Sequence, residues 1–180
     1  NLVAAWASRN KTSAIVFRYF NAAGALPEEK LGELHEPETH LIPNVINAAF
    51  SGSNDLVVNG NSFPTRDGSC IRDYVHVVDI AESHLLGLDY IQAHKNVYEV
   101  VNVGSGVGYS VFEIIRASER ITNRSIQYRL GPARMGDPAR LVARIDLAKD
   151  MLGWEPRNSS LEELIGSACA WFQINRMQRR

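Results

Sequence analysis

At 180 residues, 45% of them hydrophobic, the chain has enough apolar material for one folded domain with a sizeable core and too much for a disordered one. A net charge of −1 gives no basis for nucleic-acid binding, no apolar run approaches the roughly 18 residues of a membrane helix, and no secretory pattern is present. Two cysteines, Cys70 and Cys169, argue against a disulfide framework and for a reducing, cytoplasmic setting.

Leu2, Val3, Ala5 and Trp6 fall at helical spacing up to Arg9, without a clear cap and after Asn1 rather than Met, as in a chain entered partway through a fold. Ala14 to Phe20 is apolar on both faces and reads as a buried parallel strand. Leu26 to His40 is a long polar loop. His35, Glu36 and His40 invite a zinc reading there, but the His-Glu-x-x-His spacing is not met and Pro37 breaks the helix it needs, so no metal site is expected. Leu41 to Phe50 reads as an amphipathic helix ending at Gly52, and Leu56 to Val58 as a short strand stopped by Asn59-Gly60.

Pro64 to Asp79 organises the chain. It begins as a loop broken by Pro64 and Asp67-Gly68, becomes a strand over Tyr74 to Val78, and enters a helix striped by Ile80, Ala81, Leu85, Leu88 and Ile91. A loop at a strand end beside a helix start is a ligand-binding place in α/β proteins. Arg72 there has the planar fork a phosphate accepts, with Asp73 placed to orient it; the alternative is a surface Arg–Asp pair. His76 reads as a core or capping residue rather than a base, Tyr74 and Trp154 as packing, and His84 and His94 as structural or exposed.

Tyr98 to Val103 is a further strand running into Gly104-Ser105-Gly106. The third glycine of a dinucleotide fingerprint falls on Tyr109, so the stretch reads as a tight turn before a capping box, Ser110 with Glu113, and a helix over Val111 to Thr122. Ile126 to Leu130 alternates like a strand, Gly131 to Ala143 is a loop, and Asp146 to Leu152 is a short helix. A second capping box, Ser159 with Glu162, opens a last helix to Ile174, and Arg176, Arg179 and Arg180 form a solvated basic tail.

In this order, Arg18-Tyr19-Phe20-Asn21, His40-Leu41-Ile42-Pro43, Asp67 to Asp79, Val101 to Gly106 and Arg134-Met135-Gly136-Asp137-Pro138 closely resemble the C-terminal half of the UDP-glucose 4-epimerases, which are extended short-chain dehydrogenase/reductases. The resemblance covers essentially the whole chain. It implies an α/β fold: a remnant of a parallel Rossmann-type sheet plus a smaller mixed α/β substrate-binding domain. Residues 1–24 are the trailing helix and strand of an NAD-binding domain, and 25–180 are mainly the UDP-sugar-binding region, with about 74–104 returning to the Rossmann sheet.

The activity implied is interconversion of UDP-glucose and UDP-galactose through a 4-keto intermediate on bound NAD. The glycine-rich NAD loop and the catalytic Tyr with Lys four residues later belong to the N-terminal half. No Tyr here has such a Lys, so this chain alone is expected to be inactive and no catalytic residue is assigned. The resemblance carries over Tyr19 and Phe20 to the nicotinamide and sugar, Asn21 to the diphosphate, and His40 and Leu41 to UDP. It assigns Val57 and Asn59 to the uracil strand, Arg72 and Arg134 to the phosphates, Tyr74 and Val111 to the pocket wall, and Asp137 to the ribose hydroxyls. Leu141 matches a position that bears on N-acetylated sugars. Two other readings stay open: a non-catalytic module that associates through the strand Ala14 to Phe20, as a homodimer or with an N-terminal half, and part of a UDP-pentose or UDP-uronate epimerase.

Overall fold

The computed structural model describes residues 2–178; Asn1, Arg179 and Arg180 lie outside the described residues. The first half of the chain runs α1 (Leu2–Asn10), β1 (Ala14–Tyr19), β2 (Asn21–Ala23), α2 (Leu41–Ser51), β3 (Val57–Asn59), β4 (Ile71–His76) and α3 (Val77–Ala93). The second runs β5 (Tyr98–Val103), β6 (Gly108–Ser110), α4 (Val111–Thr122), β7 (Arg129–Gly131), β8 (Arg140–Leu141), α5 (Asp146–Leu152) and α6 (Leu161–Gln178).

Among the described residues the strands fall into three small groups. β1 pairs in parallel with β5, from Ala14 opposite Tyr98 to Tyr19 opposite Val103. One residue later the chain changes partner: β2 leaves β5 and pairs in parallel with β4, Asn21 opposite Tyr74. β4 is also bordered by β6, antiparallel, and by β8, parallel. β3 pairs in parallel with β7, placing Asn59 opposite Gly131.

Two apolar clusters hold these layers. Ile46 on α2, Ile114 on α4, and Leu164 and Ile165 on α6 are almost fully buried, with Val58 and Tyr74 among them. Each such aliphatic side chain contributes about 1.5–3 kcal/mol on leaving water. The second cluster joins Val75, Val101 and Val103 to Ala148, Leu152 and Trp154, with Ile15 and Phe17 against it. Phe17 packs where Gly87 leaves room on α3: a Cβ at Gly87 would lie 2.7 Å from Phe17 Cζ.

A buried carboxylate ties the C-terminal part to the rest. Asp79, on the first turn of α3 and fully buried, accepts from the backbone N–H groups of Arg157 and Asn158, from Asn158 Nδ2 at 2.7 Å and from Ser159 Oγ at 2.5 Å. Its carbonyl accepts from Trp154 Nε1 at 2.9 Å. The segment between α5 and α6 is thereby fixed to the start of α3.

Several boundaries differ from the sequence reading. The strand expected over 74–78 runs from Ile71 to His76, because His76 Nδ1 accepts from Val78 N and caps α3 three residues before Asp79. The strand expected over 126–130 is Arg129–Gly131, set by its pairing with β3. The first capping box is present, with Ser110 Oγ accepting from Glu113 N and Glu113 Oε2 accepting from Ser110 N. The second, Ser159 with Glu162, is not formed: Ser160 Oγ accepts from Glu163 N instead, while Ser159 is spent on Asp79 and on His76 N. Arg176 is not a free tail residue, since its Nη1 donates to Phe50 O at 3.4 Å.

Candidate functional site

β4 carries Arg72 and Asp73 on opposite errands. Arg72 Nη1 donates to the carbonyls of Ile71 and Pro138, at 2.9 and 2.8 Å, and Nη2 reaches Asp137 Oδ1 at 3.3 Å. Asp73 does not orient that guanidinium, contrary to the sequence reading. A strand sends successive side chains to opposite faces, and Asp73 points inward, fully buried. There its Oδ1 accepts from Ser105 N at 2.6 Å and Ser105 Oγ at 2.7 Å, and its Oδ2 from Gly106 N and Ala143 N, both at 3.0 Å. Asp73 thus pins the Gly104–Gly106 turn and the end of the 132–143 segment to β4.

The second arginine is set from the other side of the same segment. Residues 132–139 link β7, which pairs with β3, to β8, which pairs with β4. Arg134 and Asp137 lie on this link, between the strand that carries Val57 and Asn59 and the strand that carries Arg72. With its amide turned to satisfy both groups, the Asn59 oxygen accepts from Arg134 Nε at 3.3 Å and Nη2 at 3.1 Å. Gly131 leaves the space: a Cβ there would lie 2.8 Å from Val57 Cγ1 and 3.2 Å from Asn59 Oδ1. Arg72, Asp137, Arg134 and Asn59 are therefore brought together along one link.

The remaining expected residues are placed differently. Asn21 Nδ2 donates to Asp73 O at 2.6 Å, which locks β2 beside β4. Leu41 is the first residue of α2, and His40, just before it, turns its ring toward Glu33 and Glu38. Tyr74 and Val111 sit in the core cluster rather than at an open wall, and burial pushes the Tyr74 phenol well above its usual range. The Tyr19 phenol turns to α3, where it meets His84 Nε2 at 2.6 Å, and Phe20 N donates to Val103 O. His76 serves the fold as the cap of α3. Its Nδ1 is the helix cap, so its Nε2–H is left to donate to Ser167 Oγ at 3.1 Å, and burial holds its pKa below the ordinary value.

The glycine turn does not fit a dinucleotide diphosphate. The N–H groups of Ser105 and Gly106 that would face an anion already face the Asp73 carboxylate. A Cβ on Gly104 would stand 2.5 Å from Ala143 Cβ and 2.7 Å from Asp73 Oδ2, so glycine is needed here for an internal contact.

The parallel-stranded α/β fold is of the Rossmann-type class. The chain belongs to the family described as GDP-mannose 4,6 dehydratase, whose model matches residues 1–167. It is 41% identical, over 88% of its own length and 48% of the relative's, to a UDP-glucose 4-epimerase of Lacticaseibacillus casei. Among solved structures, it superposes at a TM-score of 0.92 and 32% identity on a Stenotrophomonas maltophila UDP-glucose 4-epimerase holding NAD and formylated UDP-arabinopyranose, covering 98% of this chain and 53% of that one. A Bifidobacterium longum UDP-glucose 4-epimerase in complex with NAD+ and UDP matches at 0.85 and 34% identity, over 92% of this chain and 49% of that one. The chain spans about half the length of the relatives it matches. Among the described residues no helix is long and apolar enough to cross a membrane.

Proposed function

We propose that this chain supplies the UDP-sugar-binding half of an NAD-dependent UDP-hexose 4-epimerase. The observation that carries the reading is the joint placement of Arg72, Asp137, Arg134 and Asn59 along residues 132–139. A diphosphate concentrates negative charge that two guanidinium forks match, and a carboxylate on the same link suits ribose hydroxyls. These forks contact Asp137, Asn59 and the carbonyls of Ile71 and Pro138. The carbonyls of Ile71 and Pro138 and the Asn59 amide are neutral partners that phosphate oxygens can replace, while the Asp137 carboxylate, once released, needs the ribose hydroxyls as its new donors. β3, adjacent to Arg134, offers the backbone of Val57 to Asn59 to a uracil edge.

NAD enters this reading through the relatives, and in this chain only Tyr19 and Phe20 at the end of β1 are offered to it. No Tyr here has a Lys four residues later, so the redox chemistry rests with residues outside this stretch. Calorimetric titration of UDP tests the reading, with Arg72→Ala as control. Saturable binding that weakens in the variant supports it; absence of binding to a folded chain, both alone and with an N-terminal half of a relative added, overturns it. A coupled UDP-galactose assay on this chain alone is expected to show no turnover, and clear NAD-dependent turnover would overturn that part.

A second reading has its own observation. Leu2 and Trp6 on α1 are 90% and 59% exposed, and Leu85 and Leu88 on α3 are 64% and 52% exposed. Such faces suit association with a complementary part of the fold. Sizing across a concentration series tests it, and a concentration-independent monomer argues against self-association.

A further inference from the structure

Sharing only His40 with the expected substrate contacts, the 32–40 loop gathers two imidazoles and two carboxylates. His35 Nδ1 lies 3.7 Å from Glu38 Oε1, and His40 Nδ1 lies 3.6 Å from the same oxygen. His40 Nδ1 also meets Glu33 Oε1 in close contact. One ligand-type atom from each of Glu33, His35, Glu38 and His40 falls within 4.8 Å of all the others. The two rings stack with centroids 5.2 Å apart. Pro37 rules out a helical zinc motif here, but the loop achieves the convergence without one.

We infer that Glu33, His35, Glu38 and His40 form a binding site for a zinc-class divalent ion. Two imidazole nitrogens with two carboxylate oxygens are a donor set for zinc and its neighbours, whereas calcium and magnesium favour oxygen alone. Tetrahedral bonds of about 2.0–2.2 Å imply ligand atoms roughly 3.4 Å apart. The 3.6 and 3.7 Å separations already approach that spacing.

The loop is held in place for this. Glu38 Oε1 accepts from the N–H groups of Thr39 and His40, both at 2.8 Å, which orients the carboxylate. The Glu33 carbonyl accepts from Trp171 Nε1 on α6 at 3.0 Å. Gly32 lies so close to the Trp171 ring that a Cβ would be 2.3 Å from it. At the other end, Asn44 Nδ2 donates to His40 O at 2.9 Å and to Glu38 O at 3.3 Å. One end is thus fixed to α6 and the other to α2. The positive end of α2 lies close by and opposes a bare cation, but two carboxylates offset the ion's charge. The side chains of His35 and His40 are 46% and 61% exposed, so the ion has an open path from solvent.

The test is a calorimetric titration of ZnCl2 into the untagged chain, paired with the visible spectrum of the Co2+ form. The expected result is saturable binding of one ion per chain, and a Co2+ band of tetrahedral nitrogen and oxygen ligation. His35→Asn and Glu33→Gln should each weaken binding about tenfold or more with native circular dichroism, by loss of one ligand. Cys70→Ser should leave it unchanged. Absence of saturable binding, wild-type affinity in both folded variants, or thiolate charge-transfer bands in the Co2+ spectrum would each overturn the assignment. The spectrum reads the ligand set of the unmodified chain, so it decides even if a variant fails to fold.

Discussion

Arg72 and Asp137 meet across 65 residues of sequence, Nη2 to Oδ1 at 3.3 Å, while the same guanidinium holds the carbonyl of Pro138 next to that aspartate. The arginine therefore shapes the link that carries its own partner. Charge-assisted hydrogen bonds contribute about 1.5–3 kcal/mol each. Arg72→Ala should then weaken UDP binding roughly tenfold to a hundredfold, at about 1.4 kcal/mol per decade. Arg72→Lys should recover only part of the loss, because an ammonium lacks the planar fork. Calorimetry reads both; unchanged affinity in Arg72→Ala would remove Arg72 from the phosphate site.

Asp73→Asn is expected to be a stability variant. The amide keeps the size but turns an N–H₂ group toward donors that need an acceptor, such as Gly106 N and Ala143 N. A loss of about 2–4 kcal/mol is expected, from unsatisfied buried groups and a lost charge-assisted contact. Ser105→Ala, which removes only the hydroxyl, should cost about 1 kcal/mol. Urea denaturation midpoints measure the two, and equal small effects would show that the carboxylate is not the organising group.

Titration of His76 should appear in the pH dependence of stability. Burial holds its folded-state pKa below the ordinary value near 6.5. Below about pH 6.5 the unfolded chain takes up a proton that the folded chain resists, so stability falls as pH drops through that range toward the folded value. His76→Asn keeps a capping acceptor for Val78 N and should flatten this part of the curve. Denaturation midpoints measured from about pH 7 to 5 decide, and an unchanged slope in the variant would place the titration elsewhere.

The cap of α4 should be acid-sensitive. Burial pushes the Glu113 carboxyl up, but the hydrogen bond from Arg66 and the Ser110 N–H outweigh it and hold the pKa below the ordinary range. Its contribution is full above about pH 4.3, the ordinary glutamate value, and is lost as pH falls through the lowered folded value. Ser110→Ala should cost about 1 kcal/mol at neutral pH through the lost cap. Glu113→Gln should remove the acid-side decline that Glu113 contributes. Melting temperatures across that range measure both.

The elements with strong local signals were legible in the residues. Ala14 to Phe20 reads as a parallel strand and Tyr98 to Val103 as a further strand, and they pair as parallel neighbours from Ala14 opposite Tyr98. Ser110 and Glu113 sit three apart before an apolar stripe, and they form the capping box. What was hidden depends on long-range partners. Asp73 beside Arg72 looked like a local ion pair, but strand alternation and a turn 32 residues away claim its carboxylate. The available signal was strand alternation, which puts Asp73 on the face opposite Arg72. Asn59 facing Arg134 had none, because it depends on β3 pairing with β7. The zinc reading of His35, Glu36 and His40 fails on helical spacing, which says nothing about what a folded-back loop brings together, and the carboxylates that converge with these histidines are those of Glu33 and Glu38.

Asp79 meets its partners 78 to 80 residues further along the chain. Contacts of such separation carry a large loop-closure entropy and form late. Until the segment from Trp154 to Ser159 arrives, the first turn of α3 carries a carboxylate that must stay hydrated, and helix and strand cannot close over it. The pairing of β1 with β5 spans a comparable 84 residues, from Ala14 to Tyr98, so it and the docking of the C-terminal segment both belong to the late step that locks the layers. During synthesis, that step waits until the segment has left the ribosome, and nascent chains ending short of it expose the faces that α5 and α6 finally cover.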